Sequence, residues 1–207
     1  MANNESKILC ILLKTLDVKP TITFLAKESK LSRVGVWKLL KKLEKNKLIL
    51  LSPIGTGKTS TYSISLNWET PLLEKTLALI LTEEAIKNQK WLENFKELEN
   101  KTSFLILYGS ILHSLKEAND IDLLGVIEKN NFQEIDKLIG KIQKTQIKKI
   151  HFLNLTKEEL KIELKKSNKA FIDAIKKGVI LFGQEKFIKF VKDLNIRWKK
   201  RLKNAFS

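Results

Sequence analysis

The residues best suited to chemistry lie in one stretch, Ser103 to Glu128 (SFLILYGSILHSLKEANDIDLLGVIE). Asp120 and Asp122 stand two apart at the start of an apolar run, Ile121 to Ile127, that reads as a strand, so both carboxylates project from the same face. Two acids held side by side repel each other unless a cation sits between them. An all-oxygen pair of this kind suits Mg²⁺ or Mn²⁺ bridging to a triphosphate. Upstream, Gly109-Ser110 ends a buried strand, Phe104 to Tyr108, with a sharp turn into a short helix. Glycine permits close approach of the backbone to a phosphate, and amides at a helix start offer it donors.

Gly-Ser, then nine residues, then Asp-Ile-Asp and an apolar tail is similar to the signature of the nucleotidyltransferase superfamily, especially its small, minimal stand-alone members. The resemblance covers about residues 98–183. It implies transfer of a nucleoside monophosphate from an NTP to a hydroxyl or similar acceptor. In that scheme Gly109 and Ser110 hold the β- and γ-phosphates, and Asp120 and Asp122 are the catalytic pair that ligates Mg²⁺ or Mn²⁺. The chain departs from the pattern in two places. His113 and Ser114 stand where many relatives have an arginine and a glycine. The third acidic residue expected on a later strand is missing from Lys149 to Leu155 (KIHFLNL), which offers His151 and Asn154 instead. His151 reads either as a proton acceptor or as an ordinary surface or half-buried histidine, and Asp136 is another acid within the segment. An active transferase and a nucleotide sensor that has lost transfer both remain open.

The elements that position these residues follow from periodicity. Asn131 to Lys144 is an amphipathic helix, Thr156 with Glu159 forms a capping box opening Lys157 to Lys166, and Ala170 to Lys177 is a helix stopped by Gly178. Val179 to Phe182 is a short strand. Phe187 to Lys203 closes the chain as a basic amphipathic helix carrying Arg197, Trp198, Lys199, Lys200 and Arg201. Ahead of the Gly-Ser turn, Pro71 opens a long helical pattern from Leu72 to about Asn100, with a break placed at Thr82. This segment is scaffolding or a dimer seam.

The N-terminal third has a different rhythm. Three helical patterns, Lys7 to Leu16, Ile22 to Ser29 and Arg33 to Lys45, are followed by two extended runs, Leu48 to Ile54 and Thr59 to Leu66, around Gly55-Thr56-Gly57-Lys58. Thr21 and Ser32 are the predicted caps of the second and third helices. Gly57-Lys58-Thr59 imitates the end of a phosphate-binding P-loop. A P-loop must lead into a helix, however, whereas TSTYSISL is β-branched and alternating, so a hairpin turn is assigned. The order of helices and wing, and Thr21 to Ile49 in particular, resembles the winged-helix domains of prokaryotic transcription regulators. With Val36, Leu39, Leu40 and Leu43 facing inward, Ser32, Arg33, Trp37, Lys38, Lys41 and Lys42 of the third helix and Lys58 of the wing become the DNA-binding set.

Composition agrees. Lys and Arg number 39 against 23 Asp and Glu, a net charge of +16, which suits a polyanionic partner. Residues 1–67 hold 12 Lys and Arg against 4 Asp and Glu, the densest basic region. No apolar run approaches the about 18 residues of a membrane span, and the start of the chain does not read as a signal peptide, so a cytoplasmic protein is expected. Cys10 is the sole cysteine, which excludes an internal disulfide and a cysteine-rich zinc site. The expectation is an α+β chain: a winged helix-turn-helix at 1–67, linker helices at 68–101, and a nucleotidyltransferase-type mixed β-sheet with flanking helices at 102–207. Its expected function is that of a DNA-binding, transcription-regulator-like homodimer that binds an NTP with Mg²⁺ or Mn²⁺. Two alternatives stand beside it. One is a true transferase acting on tRNA, protein or a small molecule; the other is a DNA-binding protein with a degenerate dimerisation domain.

Overall fold

The computed structural model describes residues 3–16, 20–54 and 61–205, with side chains except at 3, 61 and 196–205. The wing tip with Lys58, and the side chains of Arg197 to Arg201, lie outside the described residues. The chain forms two compact units, Met1–Ile80 and Leu81–Ser207.

The first unit begins with three helices, α1 (Asn3–Lys14), α2 (Ile22–Ser29) and α3 (Arg33–Lys45). Capping sets their edges. The Thr21 hydroxyl accepts from the Phe24 amide at 3.1 Å, and that of Ser32 accepts from the Gly35 amide at 3.0 Å. Between α2 and α3 the chain reverses at Lys30, which adopts a left-handed φ of 57°. Two strands follow, β1 (Ile49–Ile54) and β2 (Thr61–Leu66), paired antiparallel from Ile49↔Leu66 to Ile54↔Thr61. Leu9, Leu13, Leu25, Val36, Leu40 and Leu43 have no exposed surface and form the centre of the unit. Three helices and a two-stranded wing are the winged helix-turn-helix order expected from the sequence.

Helix α4 (Pro71–Ile86) runs straight through Thr82. The predicted break is therefore misplaced. The helix ends at Lys87 and Asn88, where the Asn88 side-chain amide turns back onto the Glu84 carbonyl at 3.0 Å, and α5 (Gln89–Asn94) follows. Thr82 is a weak helix former, but neither side of it has a residue that cannot continue a helix.

The second unit is built on a four-stranded mixed sheet. Its strands are β3 (Phe104–Tyr108), β4 (Asp120–Val126), β5 (Lys149–Leu155) and β6 (Val179–Phe182), in spatial order β5-β4-β3-β6. β3 is antiparallel to both β4 and β6, while β4 and β5 are parallel, joined through α6 (Phe132–Gln143). After β5 come α7 (Lys157–Lys165), α8 (Lys169–Lys177) and, beyond β6, α9 (Gln184–Ala205). Helix α7 starts at the predicted capping box, with Thr156 and Glu159 exchanging bonds of 2.8 and 3.2 Å.

The period of two along each strand sorts residues onto two sheet faces. Leu105, Leu107, Ile121, Leu123 and Ile150 join Trp91, Phe95, Ile135 and Ile142 in a core that includes residues of α5 and α6. The other face holds Phe104, whose ring meets Phe187 and Phe190 of α9 at 5.4 and 5.5 Å. Tyr108 is on that second face, directly opposite Asp122 in the β3–β4 register.

Candidate functional site

Asp120 and Asp122 project from the same face of β4, and the parallel partner β5 places His151 directly beside Asp122. His151 Nδ1 is 3.5 Å from Asp122 Oδ1 and 3.8 Å from Asp120 Oδ2. The side chains remain partly open to solvent, at 38% for Asp120, 26% for Asp122 and 45% for His151. Neither aspartate has a Lys or Arg ion-pair partner among the described residues, although the chain carries a large excess of positive charge. The nearest side-chain nitrogen to the two is the His151 imidazole.

Gly109 closes the other side. It has φ 85° and ψ −166°, a conformation essentially reserved for glycine, and a Cβ placed there would lie 2.2 Å from Asp122 Oδ2 and 3.2 Å from its Cγ. The left-handed backbone alone calls for glycine, and the Asp122 carboxylate fills the space beside it. Ser110 follows, exposed, at the start of a single 3₁₀ turn, Ser110–Leu112, the short helix expected after the Gly-Ser bend. Tyr108 is half-buried. Its phenol is held above its ordinary pKa, first by burial and then by the charge of Asp122, so it presents a neutral hydroxyl next to the pair.

Gly109, Asp120, Asp122 and His151 therefore come together, with Ser110 the next residue along the bend. His151 has no distinguishing local pattern; its place follows from the β4–β5 register, which sequence alone does not give. Asp136 does not belong to the group. Its carboxylate accepts from the Asn154 side-chain amide at 3.1 Å, and Asn154, three residues along β5 from His151, points to the opposite face. Tyr108 has no local pattern that marks it; only its register opposite Asp122 brings it to the pair.

An oxygen-donor pair without a cationic partner fits a hard divalent ion. Among the described residues no three His, Cys, Asp or Glu side chains are placed to hold a metal ion by themselves.

In the first unit the predicted DNA-facing residues divide into two groups. Arg33 and Lys38 are exposed and make no ion pair among the described residues. The other described residues of the set, Ser32, Trp37, Lys41 and Lys42, are engaged. Ser32 caps α3, and Trp37 is half-buried with its ring 5.2 Å from that of Tyr62 on β2. Lys41 lies 4.9 Å over the Trp37 ring and 2.9 Å from Glu44, and Lys42 pairs at 2.6 Å with the buried Glu5 of α1. The Lys41–Glu44 pair is solvent-exposed and so is weak enough to yield to a phosphate. No helix among the described residues is long and apolar enough to cross a membrane.

No protein-family model matches the chain, and no curated protein matches it. Among solved structures it has a distant match to the adhesin competence repressor AdcR from Streptococcus pyogenes, at 19% identity over 70% of this chain and 80% of that one, with a TM-score of 0.33. A second is ZitR from Lactococcus lactis, described as a zinc-responsive MarR family member, at 20% identity over 70% of this chain and 76% of that one, with a TM-score of 0.32. TM-scores this low do not amount to a shared fold.

Proposed function

We propose that the chain is a DNA-binding regulator whose second unit takes up a nucleoside triphosphate with Mg²⁺ or Mn²⁺ at a nucleotidyltransferase-type site. The supporting observation is the Asp120–Asp122 pair, without a Lys or Arg partner among the described residues and flush against the Gly109 bend. Asp120 and Asp122 hold the cation, Gly109 brings the end of its strand into contact with Asp122, and Ser110 faces the phosphate oxygens. A divalent ion bound there neutralises phosphate charge and orients the triphosphate. Tyr108 keeps its proton and contributes a hydroxyl rather than a second anion.

His151 favours one version of this function. Beside the two carboxylates it supplies a nitrogen where a third acid would add negative charge to hold the cation and accept a proton from an incoming hydroxyl. Nucleotide binding used as a signal is therefore preferred to rapid transfer onto tRNA, protein or a small molecule. Converting His151→Asp is expected to raise metal-dependent transfer by about tenfold or more. The measurement is incubation of each chain with α-labelled NTPs and cell extract, followed by counting of labelled acceptor. Equal labelling by the two chains would contradict this role for His151.

For the first unit, α3 is the groove-facing helix, Arg33 and Lys38 are its principal contacts, and the chain acts as a homodimer on paired half-sites. Replacing both by alanine should weaken duplex DNA binding by tenfold or more. It should also reduce the slope of log affinity against log salt by about two, since each phosphate contact contributes about 0.9. Fluorescence anisotropy with a labelled duplex across a salt series measures both. An unchanged slope would remove α3 from the interface.

A further inference from the structure

On the exposed side of α3, Val34, Lys38, Lys41 and Lys45 fall at i, i+4, i+7 and i+11, opposite the buried Val36, Leu40 and Leu43. Three of the four are cations. The fourth is an aliphatic side chain that is 66% exposed, the only large apolar residue of this helix left so open. Nothing in folding favours it: a β-branched residue is a poorer helix former than the lysines beside it, and its methyl groups bury little surface here. Its place is informative. Val34 stands in the first turn of the second helix of a helix-turn-helix, the part of such a helix that meets base edges, while cations farther along the same face serve phosphates. In the major groove the one apolar feature presented by a base pair is the 5-methyl group of thymine.

The geometry points to Val34 as a base-reading residue that packs on a thymine methyl in double-stranded DNA. This rests on the DNA-binding reading of the first unit and adds its sequence preference. The occupant is B-form duplex, since uracil lacks the methyl and the deep, narrow major groove of an RNA helix does not admit a recognition helix. Burial of one methyl group corresponds to about fourfold in affinity.

The test begins with the full-length chain and a pool of random duplexes, from which bound sequences are enriched. The enriched duplex is then remade with deoxyuridine replacing thymine at one position at a time, a change that removes only the methyl. The wild-type chain is expected to lose about fourfold in affinity at one position per half-site. Val34→Ser, a surface change that leaves the core of α3 intact, should bind thymine and uracil versions equally while retaining salt-dependent affinity, and Val34→Ala should fall between. The same thymine-to-uracil ratio in wild type and Val34→Ser at every position would overturn the proposal. So would wild-type binding that is indifferent to sequence, or tighter binding to RNA than to the duplex; in those cases cationic binding stands and base reading by Val34 does not. Failure of the wild-type chain to bind any duplex would overturn the DNA-binding reading itself, and this inference with it.

Discussion

Replacing Gly109 by alanine should destabilise the second unit by about 2–4 kcal/mol, among the largest effects any single substitution here can have. Two costs combine. The backbone at φ 85° and ψ −166° is one that residues with a Cβ rarely adopt, and the new methyl would overlap Asp122 Oδ2, only 2.2 Å from its ideal position. Pairing on both sides holds the Asp122 backbone in place, so its carboxylate must rotate to make room, and the positive φ remains a cost whatever that rotation achieves. The strain must be shared between unbending the chain after Tyr108 and rotating the carboxylate away from its partners. For a chain of this size a loss of that magnitude lowers the melting temperature by about 5–15 °C, which calorimetry on the full-length protein would detect as a shift of the second unit's transition. A melting curve unchanged by Gly109→Ala would show that the bend is looser than described.

Neutralising the aspartate pair should act in the opposite direction on stability and more strongly on function. With Asp120→Asn/Asp122→Asn, the repulsion between adjacent carboxylates disappears while their volume is kept. Without metal or nucleotide the folded state should be as stable as wild type or more so, by up to about 1 kcal/mol. Affinity for a metal–NTP complex should fall by about a hundredfold or more, since the charge that holds the cation has gone. Residues kept for folding lose stability when changed, whereas residues kept for a ligand lose the ligand and often gain stability. The double variant therefore separates a binding site from a structural turn. Reduced stability with no change in nucleotide affinity would assign the pair a structural role.

Local rules made much of this molecule readable in advance. The ends of α2 and α3 follow from Thr21 and Ser32, whose hydroxyls satisfy amides that no helix can satisfy for itself, and Thr156 with Glu159 does the same for α7. Asp120 and Asp122 share a face because a strand alternates with a period of two, so that part of the site needed no knowledge of the fold. What sequence leaves open, even for a residue such as His151 that it names as a candidate, is how distant segments register. His151 is 29 positions from Asp122 in sequence and becomes its neighbour only because β5 pairs with β4 in one particular parallel alignment. Helical angle places Trp37 and Lys42 on the outer side of α3 but does not reveal that β2 brings Tyr62 to the Trp37 ring or that Glu5 of α1 pairs with Lys42. Gly109 was legible as a bend but not for what lies against it, since the carboxylate beside it belongs to a strand that begins eleven residues later. The break at Asn88 instead of Thr82 shows that a residue able to cap a helix does so only where the chain has another reason to turn.

The most direct test of the central claim is equilibrium dialysis of the full-length chain against each of the four labelled NTPs, with Mg²⁺ or Mn²⁺ present and with the metal chelated. Saturable binding of at least one NTP is expected, requiring the metal and disappearing in Asp120→Asn/Asp122→Asn while that variant keeps a wild-type circular dichroism spectrum. No binding of any NTP would contradict the claim, as would binding that persists without metal or in the double variant.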